Sequence, residues 1–318
     1  MDELKYIINY DDIDFEDNLF KIPNIYQCTL IADSLKCVAK IFEDDKHEME
    51  SNFINYIRLL QRSNHPGIIP FIGYCSSSQN MMKRNVVITK FAKHLSLQHI
   101  LDKKDGKKIP PYFDSVRKFI IIYGIANAMN YLHELNIVHQ RLTPSNILID
   151  ENLEPQISDF SISSLYPAFD YSPSNLIKSK MFYYVDPNTM ITNGKVTVKS
   201  DVYAFAIITI QILTESLHIY ENEDDLVNLI NEIKNGSLPM IPTNFSDDLR
   251  KLLISCLKAD PTLRPPFSRI CTTLDSIIEK MPNINVDIFL EYKEKIKCMK
   301  KEEEMNPNVR KMKEIADQ

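Results

Sequence analysis

The chain has 318 residues, 44% of them hydrophobic and 25% charged, which is enough apolar side chain to bury a core and excludes a disordered or collagen-like polymer. At roughly 150 residues per domain the length suggests two lobes. The net charge of −6 is carried by residues 1–20, where seven acids (Asp2, Glu3, Asp11, Asp12, Asp14, Glu16, Asp17) face Lys5, while the rest of the chain balances at 36 acids against 36 bases; no basic face dominates, so nucleic acid is a poor candidate for a partner.

Residues 1–14 read as an acidic N-terminal segment. Short β-prone runs follow at Ile25–Ile31 and Leu35–Phe42, broken at Pro23 and at Asp33-Ser34. Between Glu48 and Gln61, Phe53, Ile57 and Leu60 recur at helical spacing, and two further apolar runs, Ile68–Tyr74 and Val86–Phe91, flank a polar stretch. These elements describe a small, mostly β first lobe. Beyond about residue 95, Phe119, Ile122, Ala126, Met129 and His133 mark one face of a long helix. A hairpin-like pair comes next, Ile147–Ile149 and Gln156–Ser158, joined by polar Asp150–Glu154. Helical patterns then lie near 198–214, 224–234, 246–258 and 267–280, punctuated by Pro239, Pro242, Pro261, Pro265 and Pro266. In the charged tail, 282–318, residues Val286, Phe289, Tyr292, Ile296 and Met299 predict an amphipathic helix, either packed on the body or binding a partner.

Six cysteines are scattered without a C-x-x-C pair, so free thiols in a reducing cytosol are expected. The acidic N-terminus does not resemble a signal peptide. The longest strongly apolar stretch, Tyr203–Leu213, is far shorter than the roughly 20 residues a spanning helix needs. A soluble, cytoplasmic protein without a membrane span is the expectation. Glycine is scarce, six in the chain with Gly67 the first, against a usual share of about 7%. Any mechanism that needs a glycine loop within the first 66 residues is thereby excluded.

The run Ile137-Val138-His139-Gln140-Arg141-Leu142-Thr143-Pro144-Ser145-Asn146-Ile147-Leu148, followed by Ser158-Asp159-Phe160-Ser161, resembles the catalytic loop and metal-binding motif of protein kinases. Val38-Ala39-Lys40 resembles that family's lysine strand, and His65-Pro66-Gly67-Ile68-Ile69 the turn after the first-lobe helix. Lys199-Ser200-Asp201-Val202-Tyr203-Ala204-Phe205 is similar to the start of the central second-lobe helix, and Asp260-Pro261-Thr262-Leu263-Arg264-Pro265 to a late-domain motif. In order and spacing these cover residues 15–281, and the wording is most similar to the tyrosine-kinase-like group. The resemblance implies an α+β, bilobal kinase-like fold, with a β-rich N-lobe at about 15–92 and a helical C-lobe at about 93–281.

Set against that family, the chemical positions are depleted. The aspartate that accepts the substrate proton is replaced by Arg141, whose guanidinium cannot take up a proton at neutral pH. Thr143 stands where serine/threonine kinases place a loop lysine, and the nearest downstream carboxylate, Asp150, falls in the hairpin turn. The glycine-loop positions correspond to Lys21, Pro23 and Tyr26; either Tyr26 fills the phosphate space or the segment is an ordinary strand pair with a stiff turn. Tyr56 occupies the place of the helix glutamate that pairs with the lysine, leaving Lys40 unpaired or with an atypical partner such as Asp159, unless a shifted helix brings Glu48 or Glu50 to it. Lys40, Thr89 (gatekeeper), Ala92 (in the hinge Lys90–Lys93) and Leu148 match nucleotide-contacting positions, with Val38 and Cys28 above the adenine. Asn146 and Asp159 match the two magnesium positions, or serve as a loop cap and a tie for Lys40. ATP and magnesium are thus the ligands the resemblance implies, although a binding module requires neither. His139 and Phe160 match an apolar column that Leu60 extends, and Asp201 resembles the anchor of the catalytic loop. Asn188, in place of a glutamate, is expected to leave Arg264 without its ion pair, and Ala206 and Ser161 replace glycines. The hydroxyls Ser161, Ser163, Ser164, Tyr166, Tyr171, Ser172, Ser174 and Ser179 mark a mobile polar loop, or alternatively a segment whose phosphorylation would give Arg141 a partner. The reading is a degraded kinase, a pseudokinase acting as a scaffold or allosteric module for other signalling proteins, an active kinase among them. The alternatives are a weak ATP-dependent serine/threonine kinase or an ATP-binding switch without turnover.

Overall fold

The structure, a computed structural model, describes residues 3–18, 24–43, 48–76, 84–102, 108–160, 170–192, 194, 196–220, 223–281 and 286–305. It divides into two compact units. The first holds the described residues up to Asn64 and those of Ile68–Lys93; the second holds His65–Gly67 and the described residues from His94 onward.

The first unit is an antiparallel sheet of five strands, β1 (Ile13–Asn18), β2 (Ile25–Leu30), β3 (Leu35–Glu43), β4 (Phe71–Cys75) and β5 (Arg84–Lys90), in the order β1-β2-β3-β5-β4, with helix α1 (Glu48–Arg62). The β2–β3 connection turns at Asp33-Ser34 as its sequence predicts: the Asp33 carboxylate accepts from Leu35 N at 3.1 Å and Ser34 is left-handed at φ 56°. Register fixes the faces, because residues directly opposite share one side of the sheet. Cys28 lies opposite Cys37, Tyr26 opposite Ala39, and Ala39 opposite Ile88. Together with Ile13, Ile41, Cys75 and Val86 they build one apolar core. The other face carries Val38, Lys40 and Phe42, and α1 covers it with Phe53 and Tyr56, whose rings lie 5.9 and 6.3 Å from Phe42. Phe53, Ile57 and Leu60 are all buried, as their spacing predicts.

The sheet begins earlier than the sequence pattern signals. β1 lies among acids, with only Ile13 and Phe15 to mark an inward face. Before it, Ile7 bridges Tyr74, the Ile8 amide donates to Tyr74 O at 3.0 Å, and Cys75 Sγ donates to Ile8 O at 2.9 Å. Gly73 permits this approach: a Cβ there would run into the Ile8 side chain and sit 2.7 Å from Tyr6 O.

The second unit is helical apart from a two-stranded ribbon. Its elements are α2 (Leu97–Leu101), α3 (Ser115–Glu134), β6 (Ile147–Ile149), β7 (Pro155–Ile157), α4 (Pro173–Ser179), α5 (Pro187–Thr192), α6 (Val198–Thr214), α7 (Leu226–Lys234), α8 (Asp247–Cys256), α9 (Phe267–Glu279) and α10 (Val286–Met305). α3 and α6 form its centre, buried almost all round, and α3 is flanked by α9, β7, α6 and α10. Both start on side-chain caps: Asp114 accepts from Arg117 N at 2.8 Å, and Thr197 with Ser200 forms a capping box. An α+β organisation, with a β-rich first lobe and a helical second lobe, is therefore what the chain adopts.

The charged tail settles the choice left open by its periodicity. α10 packs within the second unit, burying Phe289, Tyr292 and Ile296. Phe289 meets the Tyr123 ring edge-on at 5.0 Å, and Lys293 pairs with Asp275 at 2.7 Å. Lys295 pairs with Glu154, in the turn of the β6–β7 ribbon. Gly124 makes room, since a Cβ there would collide with the Tyr292 hydroxyl and with Pro155. All six cysteines are free, with Cys28, Cys37, Cys75 and Cys256 buried. No helix among the described residues is long and apolar enough to cross a membrane.

Candidate active-site loop

In the second unit, α3 ends at Glu134 and the chain reverses through Asn136, left-handed at φ 57°, to deliver the segment His139–Asn146. This loop hangs from one carboxylate. Asp201, on the first turns of α6 and only 2% exposed, accepts from His139 N at 2.8 Å, from Gln140 N at 3.0 Å, and lies 3.0 Å from His133 Nε2. Hydrogen bonds to a charged acceptor are worth about 1.5–3 kcal/mol each, which suffices to hold Gln140 in the left-handed region at φ 69°. The sequence singled out Asp201 for this role; His133 as a further partner was not anticipated, although it lies on the predicted α3 face.

The interior of the loop is closed by its own polar groups. Arg141 N approaches His139 Nδ1 at 3.4 Å, and Asn146 Nδ2 donates to Arg141 O at 2.8 Å. Thr143 and Ser145 share a hydroxyl–hydroxyl bond of 2.8 Å. Ser158 N donates to Asn146 O at 2.9 Å, joining the exit of β7 to the end of the loop. His139 is fully buried, and burial pushes its pKa below the ordinary imidazole value, opposed chiefly by the Asp201 carboxylate. Asp150 is no displaced base: its carboxylate accepts from Asn152 N at 2.8 Å and Glu154 N at 2.9 Å, capping the ribbon turn.

Asp159 follows β7 at φ 60°, and Phe160 beside it is fully buried. With its amide nitrogen donating to Arg141 O, Asn146 has its side-chain oxygen as a metal-ligand atom, and Asp159 has a carboxylate. An all-oxygen pair of this kind suits magnesium, which fills its remaining positions with water and phosphate oxygens. Among the described residues, no three His, Cys, Asp or Glu side chains form a metal-binding group. Leu148 lies in β6, half-buried and bridged to Ser96.

In the first unit, Lys40 and Thr89 stand on adjacent strands and on one face, Thr89 opposite Val38 and Lys40 opposite Val87. The Lys40 ammonium lies 6.0 Å from the Phe42 ring. Tyr56 is buried against that same Phe42 ring. Ala92 is buried just beyond β5. One expectation is corrected: Cys28 does not share the face of Val38. Gln27 is the residue opposite Val38, and Cys28, one position on, turns into the core. Tyr26 likewise belongs to an ordinary strand, its ring edge-on to Phe15 at 6.0 Å. Lys21, Pro23, Ser161, Ser163, Ser164, Tyr166 and the side chains of Glu48 and Glu50 lie outside the described residues.

Arg264 also departs from expectation. It has a carboxylate partner, supplied by Asp186 rather than by position 188. Its Nη2 lies 3.4 Å from Asp186 Oδ1, with both side chains buried, while Nε donates to Lys258 O at 2.8 Å and Nη1 to Lys199 O at 2.9 Å. Asp186 also accepts from the Thr189 hydroxyl at 2.7 Å, whereas Asn188 is exposed. The signal lay two residues upstream, in Val185-Asp186-Pro187. Farther back, Tyr171 is half-buried; burial pushes its phenol pKa up and Asp186 adds to this, while Arg141 pulls it back.

Residues 22–274 match the sequence profile of the family described as protein tyrosine and serine/threonine kinase. Over 284 residues, 87% of this chain, it is 28% identical to "Serine/threonine-protein kinase 12" of Arabidopsis thaliana. It is 26% identical over 234 residues, 74% of the chain, to "Serine/threonine-protein kinase STY17" of the same plant. To "Ephrin type-B receptor 3" of Xenopus laevis it is 27% identical over 243 residues, 75% of the chain. The matched regions are 59%, 39% and 24% of those proteins' lengths. With four-fifths of its length matched to the profile, the chain belongs to the protein kinase family.

Proposed function

We propose that this kinase-family chain is impaired in phosphoryl transfer and serves as a signalling scaffold or allosteric binding module. The carrying observation is Arg141. The loop around it is held by Asp201 and closed by Asn146, so the backbone offers a catalytic seat, but the side chain in it is permanently cationic. A positioned general base contributes about 10²–10⁴-fold to rate, and no other carboxylate in the loop replaces it; Asp150 is committed to a turn. The glycine-free first 66 residues offer no glycine backbone for a phosphate cradle.

A second reading rests on Lys40, Asn146 and Asp159. These are the residue types that hold magnesium and the phosphates of ATP, and positioning alone accelerates a reaction. Magnesium bound there would supply charge neutralisation at the phosphates. Thermal melting with millimolar ATP and magnesium, beside transfer of labelled phosphate, separates the readings. The expected result is no transfer above an Asp159→Ala control. Transfer by purified wild type that Asp159→Ala abolishes would overturn the proposal, and stabilisation without transfer would mark a nucleotide-binding switch.

A further inference from the structure

Within the second unit, the faces of α8 and α9 and the turn at 262–266 line an open groove of about 890 Å³. Its lining is cationic. Lys251 lies on α8, Arg269 on α9 and Lys280 at the C-cap of α9; Lys199 also lines it, its ammonium donating to Arg264 O, and Asp248 is the sole acid. Residues 21–318 balance at 36 acids against 36 bases, so this concentration of positive charge is local. Lys280 is engaged with Asp248 at 2.9 Å, but both are well exposed, and such a pair is cheaply exchanged for another anion. Among the described residues Lys251 and Arg269 form no ion pair. Leu252 and Ile277 line the groove as apolar side chains, and Leu263 lies in its lining while 65% exposed.

We propose that this groove binds an acidic, extended peptide segment of a partner protein. From Arg269 to Lys280 the α9 face runs about 16 Å at 1.5 Å per residue, the length of about five residues of extended chain at 3.3 Å each. Carboxylates on such a segment would meet Lys251, Arg269 and Lys280, and one apolar side chain would meet Leu263. The volume falls in the range of about 300–1,000 Å³ typical of ligand sites. A long polyanion gains less, because beyond the groove the charges of residues 21–318 balance at 36 acids against 36 bases and add no net attraction. The groove goes beyond the proposed function, since it stands whether or not the chain transfers phosphate.

Fluorescence anisotropy of a labelled Glu-Leu-Glu-Glu-Leu-Glu peptide with the full chain tests this. Saturable binding that weakens with salt is expected, with affinity lowered at least about tenfold by Lys251→Glu with Arg269→Glu. Lys36→Glu with Lys108→Glu, outside the groove, should leave it unchanged. Should the reversed charges unfold the chain, Lys251→Met with Arg269→Met should weaken binding in the same direction. Equal binding by groove and control variants, no saturation below about 1 mM, or displacement by inorganic phosphate as effectively as by unlabelled peptide would overturn the proposal.

Discussion

Asp186 and Asn188 sit two residues apart, and only the first touches Arg264. Removing one member of a buried ion pair strands the other charge and costs about 3–5 kcal/mol. Asp186→Ala should therefore lower the urea-unfolding free energy by that amount, while Asn188→Ala, at an exposed site, should stay within about 0.5 kcal/mol. The reverse ranking would return the pairing role to position 188. A second residue-scale consequence concerns His139. Burial depresses its pKa in the folded state, so the unfolded chain takes up a proton first as pH falls through about 6.5. The stability from neutral, buried His139 is present above that pH and is lost progressively below it. Urea midpoints should fall between pH 7.5 and 5.5, with a shallower dependence in His139→Asn despite its lower starting stability. An unchanged slope would exclude His139 as the source.

Elements differ in how plainly the sequence announces them. Helices with long apolar faces were legible, and α1, α3, α6, α7, α8 and α9 fall within a few residues of their patterns. The core strands β2, β3 and β5 were legible for the same reason. β1, α2, α4 and α5 were not, because each is short and carries too few apolar repeats to stand out from turn composition. For α10 the periodicity gave the face but not its partner. That partner involves Gly124, whose missing side chain has no signature until Tyr292 and Pro155 are seen against it. Phe289→Ala should cost about 3–5 kcal/mol through the cavity it leaves. Gly124→Ala should cost about 1–3 kcal/mol by overpacking, and Tyr292→Ala in the same chain should absorb part of that loss. Additive effects of Gly124→Ala and Tyr292→Ala would argue that the two positions do not meet.

Across the whole molecule the thiols give a simple readout. Burial pushes the pKa of Cys28 to about 12, Cys37 to about 11, Cys75 to about 12 and Cys256 to about 12. Thiolate is the reactive form, so native protein should react promptly with an aromatic disulfide reagent at exposed Cys298 and more slowly at Cys271. All six should react in denaturant; prompt reaction of all six in the native state would contradict this core. The positions of Asp201, Asn146 and Asp159 in the fold were also legible, because motif order set Asp201 on the first turn of α6, Asn146 just before β6 and Asp159 just after β7. What was not legible depended on register, as at Cys28, or on a partner distant in sequence, as at Asp186. The scarcity of glycine leaves its mark throughout: nine described non-glycine residues, among them Leu95, Gln140 and Asp159, take positive φ, while among the described glycines only Gly236 does. Side chains held there carry a conformational penalty of order 1 kcal/mol or more. The fold thus keeps a reserve of resilience in its bends, open to recovery by trimming atoms rather than by adding contacts.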